Sequence, residues 1–313
     1  MSGPVTEADT PATVAVEHTT TENGVEVLDS RETQVGNLRV RRALPRRAHR
    51  TVGAWCFADH AGPVDVNESD PVDIGPHPHM GLQTVTWLLA GELVHHDSLG
   101  SEQVIRPGQL NLMTAGNGVA HAEETMGGYR GEFHGIQLWV AQPSETRHGD
   151  ASFEHHADMP KVELDGAVAT VIVGELGGAT SPARRDTDHS GVELALRPGR
   201  TVVPVRRDYE HGLIVLSGAL SLGTNLLEPG HIAYLGVGLD ELAVDAPEAT
   251  RALLLGGVPF PEPILMWWNF VGRSTHEMNA AHDQWQAADA RFGVVDSPLE
   301  RIPAPQPHWT SQR

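Results

Sequence analysis

Two short motifs in the sequence combine residue types that bind metal ions, His77-Pro78-His79 and His121-Ala122-Glu123. In each motif one residue separates the two polar side chains, and alternate residues of a β-strand point to the same side of the sheet. A strand that carries either motif would therefore direct two potential ligands to one side. The stretch between the motifs is long enough to contain antiparallel strands that bring them together.

Three imidazoles and one carboxylate form a ligand set that suits Fe(II), Mn, Ni, Cu(II) or Zn. Four protein ligands around a six-coordinate ion leave two positions for water, substrate or dioxygen, whereas a structural zinc site is closed. Burying four such side chains in an apolar barrel without a metal would be costly, because buried polar groups need partners. The two motifs therefore predict a metal site whose ligands are His77, His79, His121 and Glu123.

Short apolar runs bounded by turn residues surround both motifs. They predict strands over residues 82–89, 109–113 and 135–141, and their regular spacing favours a closed barrel or a sandwich. The composition agrees, because 33 glycines and 22 prolines in 313 residues exceed the usual share and indicate many tight turns. Steps of three and four predict one helix over residues 274–292, with an apolar stripe formed by Met278, Ala281, Trp285, Ala288 and Phe292.

The second half of the chain resembles the first. Segments near Gly91 and Pro107-Gly108 have similar counterparts, in the same order, near Gly218 and Pro229-Gly230, which indicates a duplicated β-domain. Most of the metal-binding residue types are lost in the second copy, so we expect that domain to be metal-free and to support or shield the first. The offsets between the copies place the four expected ligands at Pro204, Arg206, Ala243 and Asp245.

These patterns also predict the domain organisation. We expect a disordered acidic tail over residues 1–28, an N-terminal metal-binding domain over 29–150 and a linker within 143–165. A degenerate C-terminal domain over 165–292 would end in the predicted helix, and a C-terminal tail would follow over 293–313.

The charge balance and the cysteine content exclude several functional classes. The net charge of −19 opposes direct binding to nucleic acids and to anionic membrane surfaces. A single cysteine, Cys56, excludes an intramolecular disulfide and a cysteine-based zinc cluster, and we predict that it is a small core residue. The sequence shows neither a signal peptide nor an apolar run of membrane-spanning length, so we expect a soluble, cytoplasmic protein.

Other histidines and arginines allow more than one interpretation. We predict that His95-His96 is an exposed hairpin end rather than a second metal site. His60 and His134 lie beside Gly-rich turns and are candidates for lining the cavity. The arginine-rich stretch Arg39–Arg50 is interpreted as a solvated strand edge, and a docking patch for an acidic protein partner is the alternative.

The metal motifs and the segments around them resemble the pirin family of the cupin superfamily. This resemblance implies an all-β fold of two cupin barrels packed together, with a C-terminal helix and one mononuclear metal centre in the N-terminal barrel. The family's metal is usually iron, and its ligands correspond to His77, His79, His121 and Glu123. The resemblance extends over residues 35–292 and is carried by 75–85, 97–100, 107–108, 113–123 and 135–139.

The resemblance also implies a function. Several bacterial members of the family resemble quercetin 2,3-dioxygenases, whereas animal pirin is a nuclear transcriptional co-regulator. We therefore expect an Fe(II) dioxygenase that acts on a flavonol or another phenolic small molecule and dioxygen, with Glu123 as general base. The alternatives are a non-enzymatic, metal- or redox-dependent regulator that acts through a protein partner, and an inactive structural bicupin. The candidate apolar walls of the cavity are Leu82, Val85, Leu112 and Met113.

Overall fold

The computed structural model describes residues 19–20, 24–67, 71–125, 127 and 129–310, and β-strands dominate it. The described part of the chain begins with two short strands, β1 (Thr19–Thr20) and β2 (Glu26–Asp29). The next strands are β3 (Arg31–Val35), β4 (Leu38–Leu44), β5 (Trp55–Val66), β6 (Ile74–His79), β7 (Leu82–Ala90), β8 (Leu93–Asp97), β9 (Glu102–Ile105), β10 (Leu110–Thr114), β11 (Val119–Thr125), β12 (Gly131–Ala141) and β13 (Ser152–His156).

The second half of the chain is built in the same way. Its strands are β14 (Lys161–Leu164), β15 (Ala167–Val173), β16 (Glu175–Leu176), β17 (Ala179–Thr180), β18 (His189–Leu196), β19 (Gly199–Pro204), β20 (Glu210–Ser217), β21 (Leu220–Leu222), β22 (Asn225–Leu227), β23 (His231–Gly236), β24 (Glu241–Ala246) and β25 (Thr250–Gly257). The C-terminal region contains β26 (Leu265–Trp267), β27 (Phe270–Gly272), helix α1 (Thr275–Gln286) and two 3₁₀ turns, Ala290–Phe292 and His308–Thr310.

These strands form two barrels of the same design. The first barrel combines the sheet β13-β10-β7-β12-β5-β4-β3 with the sheet β6-β11-β8-β9. The second combines β1-β2-β23-β20-β25-β18-β15-β14 with β19-β24-β21-β22. The small sheets have the same strand order, which confirms the duplication. The predicted all-β fold of two cupin barrels with a C-terminal helix is confirmed as well.

Each large sheet is extended by a strand from outside its barrel, because an unpaired sheet edge leaves backbone groups without partners. Strand β13 pairs with β10, and strand β2 pairs with β23 of the second barrel. Two expected boundaries are therefore wrong: β13 lies beyond residue 150, inside the expected linker, and β2 lies inside the expected tail. Residues 1–18 and 21–23 of that tail lie outside the described residues.

The two large sheets pack face to face, and an apolar core fills the contact between the barrels. Alternate residues of β7, β10 and β12 point into this core, among them Val85, Leu112 and Leu138. They share it with Ile214 and Leu255 of the second barrel, and all five side chains are at most 2% exposed. Burying this apolar surface stabilises the two barrels as one unit.

Helix α1 is shorter than the apolar stripe predicts. It begins after Ser274, whose hydroxyl accepts a hydrogen bond from the backbone N–H of Glu277 at 3.3 Å. The helix ends at Gln286, and Ala288 is exposed with a positive φ of 53°, which a continuing helix does not allow. Phe292 is still buried, through a 3₁₀ turn. Among the described residues, no helix has both the length and the apolar character needed to cross a membrane.

The expected C-terminal tail packs along β6. The backbone N–H of Ile302 donates to the carbonyl oxygen of Pro76 at 2.9 Å. A Cβ at Gly75 would lie 2.1 Å from the carbonyl oxygen of Glu300, so this close approach requires glycine. The segment 293–310 is therefore part of the folded structure and lies against the strand that carries the first histidine motif.

The arginine-rich stretch is not a fully solvated edge. Strand β4 lies between β3 and β5, and its residue Arg42 is buried. The guanidinium donates to both carboxylate oxygens of Asp59, with Nε–Oδ1 and Nη2–Oδ2 distances of 2.7 Å each. Arg39, by contrast, is exposed and lies 3.6 Å from Glu32. A docking role for the exposed part of the stretch stays a prediction.

The substitution Leu138→Ala tests the core between the barrels. It removes buried methyl groups and leaves a cavity, so we expect the free energy of unfolding to fall by about 2–5 kcal/mol. Leu226 is 53% exposed and provides the matched control, because Leu226→Ala should change that free energy by about 0.5 kcal/mol or less. Urea denaturation followed by tryptophan fluorescence measures both variants. Equal effects would contradict a dominant role for this core.

Candidate metal centre

The two histidine motifs lie on adjacent antiparallel strands in the small sheet of the first barrel. His77 and His79 are on β6, His121 and Glu123 are on β11, and His77 lies directly opposite His121 in the ladder. A β-bulge between His121 and Glu123 shifts the register, so that Glu123 pairs with Ile74. The pairing of β6 with β11 therefore brings the motifs together, as their spacing predicts.

Three of the four expected ligands converge at one point. One nitrogen of each of His77, His79 and His121 lies within 4.8 Å of the others, and the Nε2 atoms of His79 and His121 are 3.1 Å apart. All three residues are buried, at 1% exposure or less. Nitrogens that share one ion at about 2 Å are themselves about 3–4 Å apart, so this spacing suits a common metal ion.

Backbone carbonyl groups orient two of the three rings. The Nδ1 of His77 lies 2.8 Å from the carbonyl oxygen of Gly75, and the Nδ1 of His79 lies 3.2 Å from that of Asn269. A carbonyl oxygen can only accept, so each Nδ1 carries the proton and each Nε2 presents its lone pair. The Nε2 of His77 has no hydrogen-bond partner among the described residues.

Burial keeps the three rings in their neutral form. It lowers the pKa of His77 to about 3. Burial, with the repulsion that a protonated His77 would exert, holds the pKa of His79 and of His121 well below the usual histidine range. Neutral imidazole is the form that binds metals. The donor set therefore fits a divalent first-row metal ion, which would also satisfy the otherwise costly buried nitrogen of His77.

His95 orients the third ring. Its Nδ1 lies 3.3 Å from the Nδ1 of His121, and its Nε2 lies 3.2 Å from Oδ2 of Asp97. The carboxylate accepts from the Nε2–H of His95, which leaves the Nδ1 of His95 to accept the proton of His121 Nδ1. The His95 ring also stacks on Phe153 of β13, with a centroid distance of 4.3 Å. This arrangement directs the Nε2 of His121 toward the other two histidines.

The predicted exposed hairpin end at His95-His96 is therefore wrong. Both residues lie on β8, which pairs with β11, and His95 is only 4% exposed. His96 points to the opposite face, where its Nδ1 lies 3.0 Å from Oε1 of Glu124. A signal was present in the sequence, because His95 and Asp97 alternate in the same way as the residues of the two metal motifs.

Glu123 is buried in the same barrel, but it is not part of the 4.8 Å cluster of histidine nitrogens. The hydroxyl oxygen of Thr86 lies 3.4 Å from its Oε1 and 2.9 Å from Oε1 of Gln137. Thr86 and Gln137 lie opposite each other on β7 and β12, so the large sheet presents polar side chains to Glu123. Its role as the fourth ligand stays a prediction.

The candidate apolar walls do not share one face. The prediction that Val85 and Leu112 line the cavity is wrong, because both side chains point into the core between the barrels. Side chains alternate along a strand, so these two residues face away from the interior of the first barrel. Leu82 packs with Trp139 and Cys56 in a separate cluster. The core position of Cys56 is confirmed, and burial raises the pKa of its thiol to about 12.

His60 and His134 are also wrong as cavity-lining residues. Their Nε2 atoms are 2.8 Å apart on the neighbouring strands β5 and β12. His60 lies opposite Ile136, which belongs to the core between the barrels. The carbonyl group of Leu216, in the second barrel, hydrogen-bonds to His134. Both histidines therefore belong to the contact between the barrels.

The second barrel has different residues where the first carries the histidines. Val202 lies opposite Ala243 in the pair β19–β24, in the way that His77 lies opposite His121 in the pair β6–β11. Val202 is 42% exposed, however, and the buried positions of β19 are held by Thr201 and Val203. An aliphatic cluster occupies the interior of this barrel. The expected absence of a metal there stays a prediction.

Comparisons with known proteins agree with this description. A family model described as Pirin matches residues 37–140, and a model described as the pirin C-terminal cupin domain matches residues 191–293. A curated relative from Pseudomonas aeruginosa, named as a candidate quercetin 2,3-dioxygenase, is 44% identical over 277 residues. The match covers 88% of this chain and 87% of the relative.

Solved structures give the same result. The crystal structure of a quercetin 2,3-dioxygenase from Acinetobacter baumannii matches with a TM-score of 0.88 and 42% identity, over 91% of this chain and 96% of that one. A bacterial pirin from Escherichia coli in complex with nickel(II) matches with a TM-score of 0.61 and 15% identity, over 75% and 99% of the chains, which shows the fold alone. Because both halves match family models and close relatives align over most of their length, the chain belongs to the pirin family.

Proposed function

We propose that this chain is a metal-dependent dioxygenase of the quercetinase type, which acts on a flavonol or another phenolic small molecule and dioxygen. The observation that carries the proposal is the convergence of three buried, neutral imidazoles at one point of the first barrel. The similarity to the quercetin 2,3-dioxygenase of Acinetobacter baumannii, at 42% identity, supports the reaction type.

The proposed metal ligands are His77, His79, His121 and Glu123, and the proposed ion is Fe(II). Mn, Ni, Cu and Zn suit the same donors, and the Escherichia coli relative was solved with nickel(II). Glu123 follows His121 by two positions on β11 and is 2% exposed, which supports its assignment as the fourth ligand. When bound, the metal would act as a Lewis acid that lowers the pKa of a substrate hydroxyl and would offer open positions for substrate and dioxygen.

Glu123 is also the proposed general base. One of its carboxylate oxygens accepts the proton of the substrate hydroxyl, which leaves the substrate as the electron-rich anion that reacts with dioxygen. The Thr86 hydroxyl has one proton to donate, and its nearer acceptor is Oε1 of Gln137 at 2.9 Å, whereas Oε1 of Glu123 lies 3.4 Å away. The burial of all three side chains excludes bulk water and strengthens the electrostatic interactions of the carboxylate.

Side chains next to His79 support an aromatic substrate with polar groups. Trp139 packs edge to face against the His79 ring, with centroids 5.3 Å apart, and it stacks on Phe57 at 4.0 Å. Its Nε1 and the Oδ1 of Asn269 are buried, and neither atom has a hydrogen-bond partner among the described residues. A donor and an acceptor of this kind suit the carbonyl and hydroxyl groups of a flavonol.

The alternative function is a non-enzymatic regulator that acts through a protein partner. Its basis in the sequence was the stretch Arg39–Arg50, and Arg42 in that stretch is buried in an ion pair with Asp59. No observation on the described residues specifically favours this alternative.

The substitution His95→Phe tests the orientation of His121. Phenylalanine keeps the stacking on Phe153 but cannot accept from His121 Nδ1, so we expect the affinity for the metal to fall by about 10- to 100-fold. Competition titration with a chromophoric chelator measures the affinity, and the visible spectrum of the Co(II) form reports the ligand geometry. His96→Phe, on the neighbouring position and the opposite face, is the control and should leave both unchanged. Equal affinities for the two variants would contradict the positioning role.

The turnover of quercetin tests the proposed function. Iron-loaded protein incubated aerobically with quercetin should consume the flavonol absorbance, and His121→Ala should abolish both metal binding and turnover. Glu123→Gln should lower kcat by about 10²- to 10⁴-fold, because it removes the general base. Glu102→Gln, whose side chain is 79% exposed, is the matched control and should leave kcat unchanged.

Absence of turnover over a panel of flavonols and simpler phenols, with the metal site demonstrably loaded, would overturn the dioxygenase proposal. Metal-dependent capture of one defined protein partner under the same conditions would then favour the regulatory alternative.

A further inference from the structure

The second barrel contains a cavity of about 230 Å³ that the proposed function does not use. It lies between the hairpin β16–β17, the end of β19 and the start of β20. Pro204, the last residue of β19, lines it, and the last residue of the corresponding strand β6 is His79. The cavity therefore occupies the end of the second barrel that corresponds to the metal centre of the first.

A buried histidine with an unsatisfied nitrogen lines this cavity. His211 is 2% exposed, and its Nδ1 has no hydrogen-bond partner among the described residues. Because the backbone carbonyl of Gly236 acts on this ring as an acceptor, we assign the proton to Nε2 and the lone pair to Nδ1. Burial lowers the pKa of His211 to about 4, so the ring is neutral near pH 7. Such a nitrogen requires a donor, and a hydroxyl group supplies one.

The charges around the cavity exclude an anionic ligand. Arg206 lines the cavity, but Asp208 accepts from its Nε at 3.1 Å and from its Nη2 at 2.6 Å. Asp188 accepts from its Nη1 at 3.1 Å. Glu175 adds a further carboxylate to the lining, and Arg185 also pairs with Asp188, so three carboxylates surround the cavity together with two guanidinium groups. A ligand without net charge suits this surface.

The rest of the lining is mainly apolar, with Ser190 and Tyr209 as further polar members, and the Tyr209 hydroxyl donates to Asp188. The space is small. Leu176, Val192 and Leu254 contribute aliphatic side chains to the walls. Pockets for drug-sized ligands have volumes of about 300–1,000 Å³, so this cavity suits a smaller molecule with one ring.

We propose that this cavity binds a neutral monocyclic phenol, whose hydroxyl donates to Nδ1 of His211 and whose ring packs against Val192 and Leu254. The second barrel is thereby a small-molecule site in its own right, in which an imidazole acceptor takes the place of the metal centre. The site does not depend on dioxygenase activity in the first barrel.

Isothermal titration of the full-length, metal-loaded protein with three probes tests the proposal. 4-Methylphenol should bind at one site per chain that is separate from the metal centre. 4-Methylanisole has the same ring but no hydroxyl proton, so it should bind about 10- to 100-fold more weakly, because Nδ1 of His211 stays without a donor. 4-Methylbenzoate should not bind. Equal affinities for the phenol and the anisole, or absence of binding by the phenol, would overturn the proposal.

Variants in the two barrels locate the binding site. His211→Phe should reduce the affinity for 4-methylphenol to that for 4-methylanisole, and Leu176→Trp should block both probes by filling the cavity from the hairpin. The second variant retains the test if His211→Phe does not fold. His121→Ala should retain the phenol site of the second barrel with unchanged affinity, and loss of all phenol binding in that variant alone would assign the phenol to the metal centre and overturn the proposal. Quercetin turnover unchanged in His211→Phe separates this test from that of the proposed function.

Discussion

The direct cross-strand pairing of His77 with His121 is the constraint on which the site depends. Because side chains alternate along a strand, a slip of one residue between β6 and β11 would turn one motif away from the other. The register is held on both sides: β11 also pairs with β8, and the C-terminal segment binds β6 through the contact of Ile302 with Pro76. The pairing of β11 with β8 brings His95 within reach of His121.

Burying neutral imidazoles is unfavourable unless their nitrogens have partners, and the partners come from distant parts of the chain. Gly75 lies beside the motif, but Asn269 belongs to the turn between β26 and β27, after the second barrel. The C-terminal region that follows the second barrel is therefore needed to complete the centre. The extensive apolar core between the two large sheets provides the stability that this polar cluster does not.

The two barrels show how one strand arrangement serves two purposes. In the first, the facing positions of β7 and β12 hold Thr86 and Gln137, and Thr86 contacts Glu123. In the second, Leu213 and Leu254 are paired on β20 and β25, and the interior is aliphatic. A densely packed second barrel provides a rigid surface against which the large sheet of the first is held. Polar residues remain at the open end of the second barrel, where His211 lines the cavity.

Much of this protein was predictable from the sequence alone. Local alternation in the two metal motifs, the turn-rich composition and the repeated Pro-Gly segments were sufficient for the barrel fold, the duplication and the convergence of three histidines. These features are readable because strand periodicity and turn chemistry depend on neighbouring residues. The resemblance to pirins added the expectation of a metal and a reaction type.

Other features were decided only by the tertiary structure. Alternation shows that two side chains share a face, but it does not show what that face meets. Val85 and His60 therefore proved to lie between the barrels, and His95 proved to orient a proposed ligand. Asn269 contacts His79, and β2 pairs with β23, although both pairs of partners are far apart in the sequence. No local pattern encodes such contacts. Packing of the two barrels against each other selects these faces and partners, because only the complete fold determines which surfaces are buried together.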